Sequence, residues 1–407
     1  MVNFLQGIAK HLRIGGKVFS DIILSLNLEE NYILCLIREN TLGKLLRSEF
    51  EGVLLEDVEL FNGFYAEKIE DLMIIQYSAG APKTFLNTYF GLLKTENGNP
   101  YGFISLKLIP KRGFIELNLH QDYKKEYTEI LFEDFFQTIP PPVAWEKLRE
   151  KFSIIPYSDT RKGIISFVAN GNIKDLEIYT DGLELALSFA QGKEVLRKII
   201  FSNGKAKIFF YQKEKNPVFF AIPSENLQEF LIKFLEYWFK LNQKERTWFK
   251  RLILNLAYAK TKNTLIENKL LNLLASYEML KEGETLTKQD LKEKLNVTQC
   301  EGMFITTLRN KIMHGYLFED AINIAFEKAR KENDCDKAGI LKKIESLKGF
   351  DKALKTYFAL IFYLENFILR SISYKGLYYN PLNSFAEEIV NEILIEDKEI
   401  LEELKMR

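Results

Sequence analysis

The spacing of apolar side chains changes near residue 223. Before this point, short segments rich in Ile, Phe, Leu and Tyr alternate with turn residues, which is typical of β-strands. After it, apolar residues recur at every third or fourth position, as in amphipathic helices. Nine of the ten prolines and 16 of the 22 glycines lie within residues 1–223. The pattern therefore predicts an α+β protein, with a β-rich N-terminal region followed by an all-α helical bundle.

The N-terminal region is predicted to contain several strands and a few helices. The strands are expected at 22–28, 32–37, 72–77, 103–108, 114–119, 163–168, 207–211 and 218–222, and helices at 129–136, 143–152 and 183–199. The run Pro140-Pro141-Pro142 cannot be helical, so it is interpreted as a linker. The predicted division is a β-rich lobe at 1–139, a second α/β lobe at 140–223 and a helical domain at 224–407.

The helical domain begins with a regular apolar stripe. Leu227, Phe230, Leu231, Phe234, Leu235 and Trp238 share one helix face, and Ser224 is the predicted N-cap. Further helices are expected at about 245–260, 263–281, 287–295, 298–314, 317–332 and 348–373, with a charged helix at 384–406. Thr287 and Asp290 have the spacing of a capping box.

The balance of charged residues argues against a broadly basic nucleic-acid-binding protein. The chain has 56 basic and 56 acidic side chains, and residues 1–223 carry 27 against 28. Neither part is a basic nucleic-acid-binding surface, so contact with RNA would need a local patch. The longest uncharged stretches run about 11 residues, too short for a membrane span.

The cysteines and histidines are few. Cys35, Cys300 and Cys335 lie far apart in the sequence, and this spacing predicts neither a disulfide framework nor a zinc site. The three histidines do not form a metal-binding motif, so no metal or cofactor is expected. Lys10, His11 and Arg13 interrupt any N-terminal apolar run, so no secretory signal is expected. The expected location is the reducing cytoplasm.

The segment 308–315 carries the candidate chemistry. It ends a predicted helix, because Gly315 is a natural residue to follow a helix C-terminus. Asn310 and His314 are four residues apart and share a face, whereas Arg309 lies about 140° around the helix from His314. Arg309 and His314 converge if the last turn distorts, if the arginine reaches around, or if two copies face each other across a two-fold axis.

These side chains suit the cleavage of RNA by its own 2′-hydroxyl. A histidine can transfer protons near neutral pH, and an arginine presents a charged fork to phosphate oxygens. His314 and Arg309 are therefore the candidate catalytic pair. Asn310 would orient the histidine or bind phosphate, and Lys311 would help to attract the phosphate. The reaction needs no metal, and DNA would resist it because it lacks the 2′-hydroxyl.

The Arg309-Asn310…His314-Gly315 motif, at a helix end inside an all-helical domain, resembles that of the HEPN ribonucleases. The resemblance covers about residues 224–375 and includes Ser276-Tyr277-Glu278 on the preceding helix. It implies a metal-independent endoribonuclease acting on single-stranded RNA or tRNA, a homodimer formed through the helical domain, and a role in defence or as a toxin. Glu278 matches the polar residue that HEPN domains often carry on that helix.

The order of a β-rich region followed by such a domain resembles the ApeA-like group of anti-phage abortive-infection proteins. Residues 50–52 and 58–60 are similar to a strand pattern of their N-terminal domain. The resemblance implies that the N-terminal region senses or regulates, with a phage-derived or antitoxin protein as a partner. Two alternatives remain open: a non-catalytic HEPN module for dimerisation or partner binding, and the toxin of a toxin–antitoxin pair.

Overall fold

The structure is a computed structural model. It describes residues 4–14, 17–27, 32–38, 53–60, 64–69, 72–79, 103–110, 112–119, 127–137, 154–159, 163–170, 176–202, 205–211, 220–260, 266–280 and 286–383. The fold is α+β, as predicted. The predicted helices at 143–152 and 384–406, the proline run and residues 50–52 lie outside these ranges, while residues 58–60 lie in a strand.

Thirteen described strands form one antiparallel sheet. They are β1 (Phe4–Ile14), β2 (Lys17–Asn27), β3 (Tyr32–Arg38), β4 (Val53–Leu60), β5 (Phe64–Ile69), β6 (Leu72–Ala79), β7 (Phe103–Pro110), β8 (Arg112–Leu119), β9 (Tyr127–Glu133), β10 (Ile154–Asp159), β11 (Ile164–Asn170), β12 (Leu196–Ser202) and β13 (Lys205–Tyr211). Their order is β10-β11-β9-β12-β13-β8-β5-β4-β1-β2-β3-β7-β6. Strands from both predicted N-terminal lobes pair in it, since β13 lies beside β8.

One predicted helix is a strand. Residues 129–136 were expected to be helical, but β9 runs through Tyr127–Glu133 between β11 and β12. Ile130, Leu131 and Phe132 are all buried, although they point alternately to opposite sides of the sheet. A strand buried on both faces is apolar throughout, so its sequence lacks the alternation that separates a strand from a helix.

The next helix is shorter at its C-terminus than predicted. The expected helix at 183–199 is α1 (Leu176–Gln191), and the chain then enters β12. Gly192 has a φ of +66°, and its N–H donates to the Phe189 carbonyl while the Lys193 N–H donates to Ser188. This left-handed residue ends the helix, and the sequence interpretation missed it. The strand predicted at 218–222 is also wrong for the part that the structure describes, because residues 220–223 form neither a strand nor a helix.

Eight further helices follow among the described residues. They are α2 (Leu227–Lys240), α3 (Gln243–Lys260), α4 (Ile266–Glu278), α5 (Lys288–Leu295), α6 (Gln299–Met313), α7 (Phe318–Ala329), α8 (Gly339–Glu345) and α9 (Gly349–Ser371). All the helices predicted from 227 to 373 are present, and α8 was not predicted. The Thr287–Asp290 capping box is confirmed. Ser224 is not a cap, because it begins a 3₁₀ turn and Asn226 precedes α2.

One hydrophobic core joins the sheet to the helical domain. The apolar stripe of α2 is fully buried, and it packs against α1, which lies over the strands near β9. Phe189 of α1 stacks on Phe230 of α2, with ring centroids 5.5 Å apart. Trp238 of α2 donates from its Nε1 to the Ile178 carbonyl at 2.8 Å. The β-rich region and the bundle are therefore in direct contact through α1.

Within the described part of the chain, no helix combines the length and the apolar character needed to cross a membrane.

Candidate active site

The helix that carries the candidate residues, α6, is anchored at its N-terminus. Thr298 and Glu301 form a capping box there. The Asp334 carboxylate accepts hydrogen bonds from the backbone N–H groups of Gln299 and Cys300, at 2.7 and 2.9 Å. Desolvation raises the pKa of Asp334, but these N–H groups outweigh it and leave the pKa below its usual value. The first turn of α6 is thus held by a carboxylate from beyond α7.

A disulfide joins the same two segments. Cys300 in the first turn of α6 is bonded to Cys335, with 5.1 Å between their Cα atoms. The prediction that the cysteines form no disulfide is wrong, because the α6–α7 hairpin returns the chain to its starting point over 35 residues. A disulfide is typical of an oxidising environment. The disulfide counts against the expected cytoplasmic location, which stays a prediction.

The C-terminus of α6 ends in a tight, defined turn. Gly315 has a φ of +81°, the Tyr316 N–H donates to the Lys311 carbonyl at 3.1 Å, and the Gly315 N–H donates to Ile312 at 3.0 Å. These two bonds form a Schellman motif, which satisfies the last carbonyl groups of the helix. The helix therefore ends at Met313, with His314 as its C-cap, as the glycine predicted.

Arg309 is held by two neighbours. Its Nε forms an ion pair with Oε1 of Glu278, the last residue of α4, and both atoms are buried from water. Its Nη1 donates to Oδ1 of Asn310 at 2.7 Å. Of the other residues in the upstream motif, Tyr277 is buried and donates to the Leu360 carbonyl. Glu278 is thus the member of that motif that reaches the candidate site.

His314 is not paired with the other candidate residues in one copy of the chain. Asn310, His314 and the turn after them are exposed, and Arg309 is partly buried with 19% of its side chain exposed. Among the described residues, no hydrogen bond or ion pair joins the imidazole of His314 to Arg309, Asn310 or Glu278. The helical hydrogen bonds of α6 continue to His314, and Arg309 is paired with Glu278 and Asn310 rather than with His314.

Sequence reasoning missed the aromatic and apolar side chains around His314. Met313, Tyr316 and Leu317 are 60%, 45% and 75% exposed, respectively. The Lys311 ammonium lies 4.2 Å from the centroid of the Tyr316 ring, a cation–π contact. The signal available in the sequence was the position of Tyr316 directly after the glycine that ends the helix. We call Lys311, Met313, Tyr316 and Leu317 the hairpin-tip surface.

A second group of charged residues is buried beside α9. Lys260 forms an ion pair with Glu365, and the Tyr378 hydroxyl donates to the same carboxylate. All three side chains are at least nine-tenths buried. Burial, the charge of Glu365 and the hydrogen bond to it raise the pKa of Tyr378 well above its usual value. The group is paired within itself, which is typical of a structural network joining α3, α9 and the loop after α9.

No group of three or more His, Cys, Asp or Glu suited to a metal ion lies among the described residues. Comparison of the chain with models of protein families, with curated proteins and with solved structures found no match.

Proposed function

We propose that this protein is a metal-independent endoribonuclease of the HEPN type. In the proposed reaction the 2′-oxygen of RNA attacks the adjacent phosphorus, and the bond from phosphorus to the 5′-oxygen breaks. One proton leaves the 2′-hydroxyl and one is delivered to the 5′-oxygen, leaving a 2′,3′-cyclic phosphate and a 5′-hydroxyl end. His314 transfers protons, and Arg309 binds the phosphate as its charge increases.

The observation that supports this proposal is the setting of Arg309. An arginine held by Glu278 on one side and by Asn310 on the other has few remaining orientations. Such a preorganised guanidinium binds a phosphate with little further loss of side-chain entropy. His314 lies at the exposed end of the same helix, where a large substrate such as RNA can reach it.

A homodimer completes the proposed site. Arg309 is paired with Glu278 and Asn310 rather than with His314 in one copy. Two helix ends facing each other across a two-fold axis would supply two arginines and two histidines. One imidazole would then accept the proton from the 2′-hydroxyl while the other donates to the leaving oxygen. Single-stranded RNA and tRNA loops are the proposed substrates, because their nucleotides are not locked in a duplex.

The proposal is tested by incubating end-labelled single-stranded RNA and total tRNA with the protein in the presence of EDTA. The wild type is expected to cleave. The substitutions Arg309→Ala and His314→Ala are each expected to lower the rate by roughly 100-fold or more, because each removes a group acting in the transition state. Product ends are identified by their resistance to phosphatase before acid treatment.

Arg330→Ala is the matched control. Arg330 also forms an ion pair through Nε, with Glu345, but it lies at the other end of the α6–α7 hairpin. This variant should cleave at the wild-type rate. Cleavage at that rate by Arg309→Ala or by His314→Ala would contradict the proposed mechanism.

A non-catalytic binding module is the second candidate. The exposed side chains of Met313 and Leu317 favour it, because adjacent exposed apolar residues often mark a protein interface. In that case purified wild type would not cleave RNA under any condition, and substituting Leu317 with serine would alter assembly. The proposed roles of the β-rich region as a sensor or regulator, and of the protein in phage defence or as a toxin, belong to the first candidate.

A further inference from the structure

The hairpin-tip surface combines a cation and an aromatic ring in a geometry that the backbone imposes. In a Schellman motif the residue after the glycine often packs against the residue three positions before the C-cap. Here those residues are Tyr316 and Lys311, whose backbones are joined by the 3.1 Å hydrogen bond from Tyr316 N–H. The ammonium of Lys311 covers one face of the ring at 4.2 Å.

The Tyr316 ring is partly exposed to solvent and so accessible to a ligand. Tyr316 is 45% exposed, and no aromatic side chain of the described residues stacks on it. A partly exposed aromatic ring can stack on a nucleobase, since every base has a flat π surface. Met313 and Leu317, close to Tyr316 in the sequence, add exposed apolar side chains to this surface.

Charge favours a nucleotide over an apolar protein surface against the Tyr316 ring, so in the proposed dimer the two helix ends would face each other across a cleft that RNA enters. An apolar protein partner covering Tyr316 would also take the Lys311 ammonium and His314 out of water, which is costly unless each finds an acceptor. A nucleotide matches both the ring and the cation, since its base covers the Tyr316 ring and its phosphate pairs with the Lys311 ammonium. The acidic side chains of Glu319 and Asp320, in the first turn of α7, limit the number of phosphates that can gather here.

We propose that Tyr316 and Lys311 form a binding subsite for one nucleotide of single-stranded RNA, with the base stacked on Tyr316 and a phosphate on Lys311. This inference rests on the proposed function, because the subsite lies two residues from His314. It adds a base-binding group beside the cleaved linkage. Stacking is tolerant of base identity, so the subsite selects unpaired nucleotides rather than a sequence.

Binding can be measured separately from cleavage with a probe that resists the reaction. A fluorescent single-stranded oligoribonucleotide of mixed sequence, methylated on every 2′-oxygen, has no 2′-hydroxyl to attack the phosphate. Its affinity is measured by fluorescence anisotropy. Tyr316→Ala is expected to weaken binding by about ten-fold or more, whereas Tyr316→Phe keeps the ring and should bind like the wild type. Lys311→Gln should weaken binding and reduce the salt dependence by roughly one phosphate contact.

Tyr258→Ala is the matched control, because Tyr258 is similarly exposed at 43% but lies on α3. It should bind like the wild type. Tyr316→Leu serves as a second variant if the alanine variant fails to fold, since it keeps apolar bulk and loses the ring. Equal affinity of the wild type and Tyr316→Leu would overturn the subsite, and so would a wild type that does not bind the probe.

The same measurements distinguish this proposal from the proposed function. If the wild type binds the probe through Tyr316 but never cleaves unmodified RNA, the subsite stands and the ribonuclease assignment fails. If the wild type cleaves RNA and Tyr316→Ala binds and cleaves equally well, the subsite fails alone. A change of mass in sedimentation for Tyr316→Ala, with unaltered binding per chain, would identify the surface as a contact between two copies and would overturn the subsite.

Discussion

At the scale of single residues, Gly315 determines where the candidate site is presented. Its φ of +81° lies in the left-handed region, which side-chain-bearing residues adopt at a cost. That conformation ends α6, leaves His314 at the helix terminus and brings Tyr316 back against Lys311. The conformation of Gly315 therefore sets where the side chains of Lys311, His314 and Tyr316 lie.

We expect Gly315→Ala to lower the free energy of unfolding by about 1 kcal/mol, because an alanine must adopt the left-handed conformation. A Cβ at this position meets no other atom within 4 Å, so the loss would come from the backbone alone. Urea unfolding followed by circular dichroism measures it.

Gly339→Ala is the control for this substitution. Gly339 is the first residue of α8, also has open space around it and is not among the residues with positive φ. Its replacement by alanine should leave stability unchanged or raise it slightly. Equal stability of Gly315→Ala and the wild type would contradict the role given to this glycine. Gly315→Asn should lower the free energy of unfolding less than Gly315→Ala does, since asparagine tolerates the left-handed conformation.

At the scale of single elements, α6 is a helix with one fixed end and one exposed end. Its first turn is held by the capping box, by Asp334 and by the Cys300–Cys335 disulfide. The middle is buried through Phe304, Ile305 and Leu308, while the last turn projects out of the core. Such a helix presents its final turn on a rigid support, which suits a site that must hold its geometry.

Reduction of the disulfide is expected to destabilise the α6–α7 hairpin. The bond closes a loop spanning 35 residues in sequence, and the entropy of closing such a loop corresponds to about 4 kcal/mol. The melting temperature of the oxidised protein should therefore fall when dithiothreitol is added.

A double variant with Cys300→Ser and Cys335→Ser serves as the control, because it lacks the bond but retains Cys35. It should melt near the temperature of the reduced wild type and should not respond to dithiothreitol. A reductant effect of equal size in the double variant would show that another group is responsible.

At the scale of the whole molecule, α1 connects the sheet to the helical bundle at close range. Gly182 of α1 faces Trp238 and Leu235 of α2, and a Cβ built on it would lie 2.7 Å from Trp238 Cδ1 and 2.9 Å from Leu235 Cδ2. The two helices approach this closely only because position 182 has no side chain. At Gly182, therefore, α1 and α2 leave no room for a larger side chain.

Gly182→Ala is accordingly expected to lower the free energy of unfolding by about 1–3 kcal/mol, because the clash outweighs the better helix propensity of alanine. Tryptophan fluorescence, which includes Trp238, and the helix and strand signals in circular dichroism should shift together in urea, since both regions belong to one core. Unchanged stability would show that α1 and α2 separate easily.

The sequence by itself determined the features that depend on neighbouring residues. The stripe of α2, the Thr287 capping box and the end of α6 at Gly315 all follow from contacts within about five positions, which a periodic pattern or a single glycine encodes. The same local reasoning identified Arg309, Asn310 and His314 as a group at a helix end. Their catalytic role remains a proposal.

Only the tertiary structure decided the contacts between distant parts of the chain. It placed Glu278 against Arg309, paired Cys300 with Cys335, and made β9 a strand by placing it between two others. These outcomes depend on which surfaces the folded chain brings together. Ion pairing, disulfide formation and burial all require that the groups concerned lie close together. The order of residues along the chain does not specify which distant groups will be close.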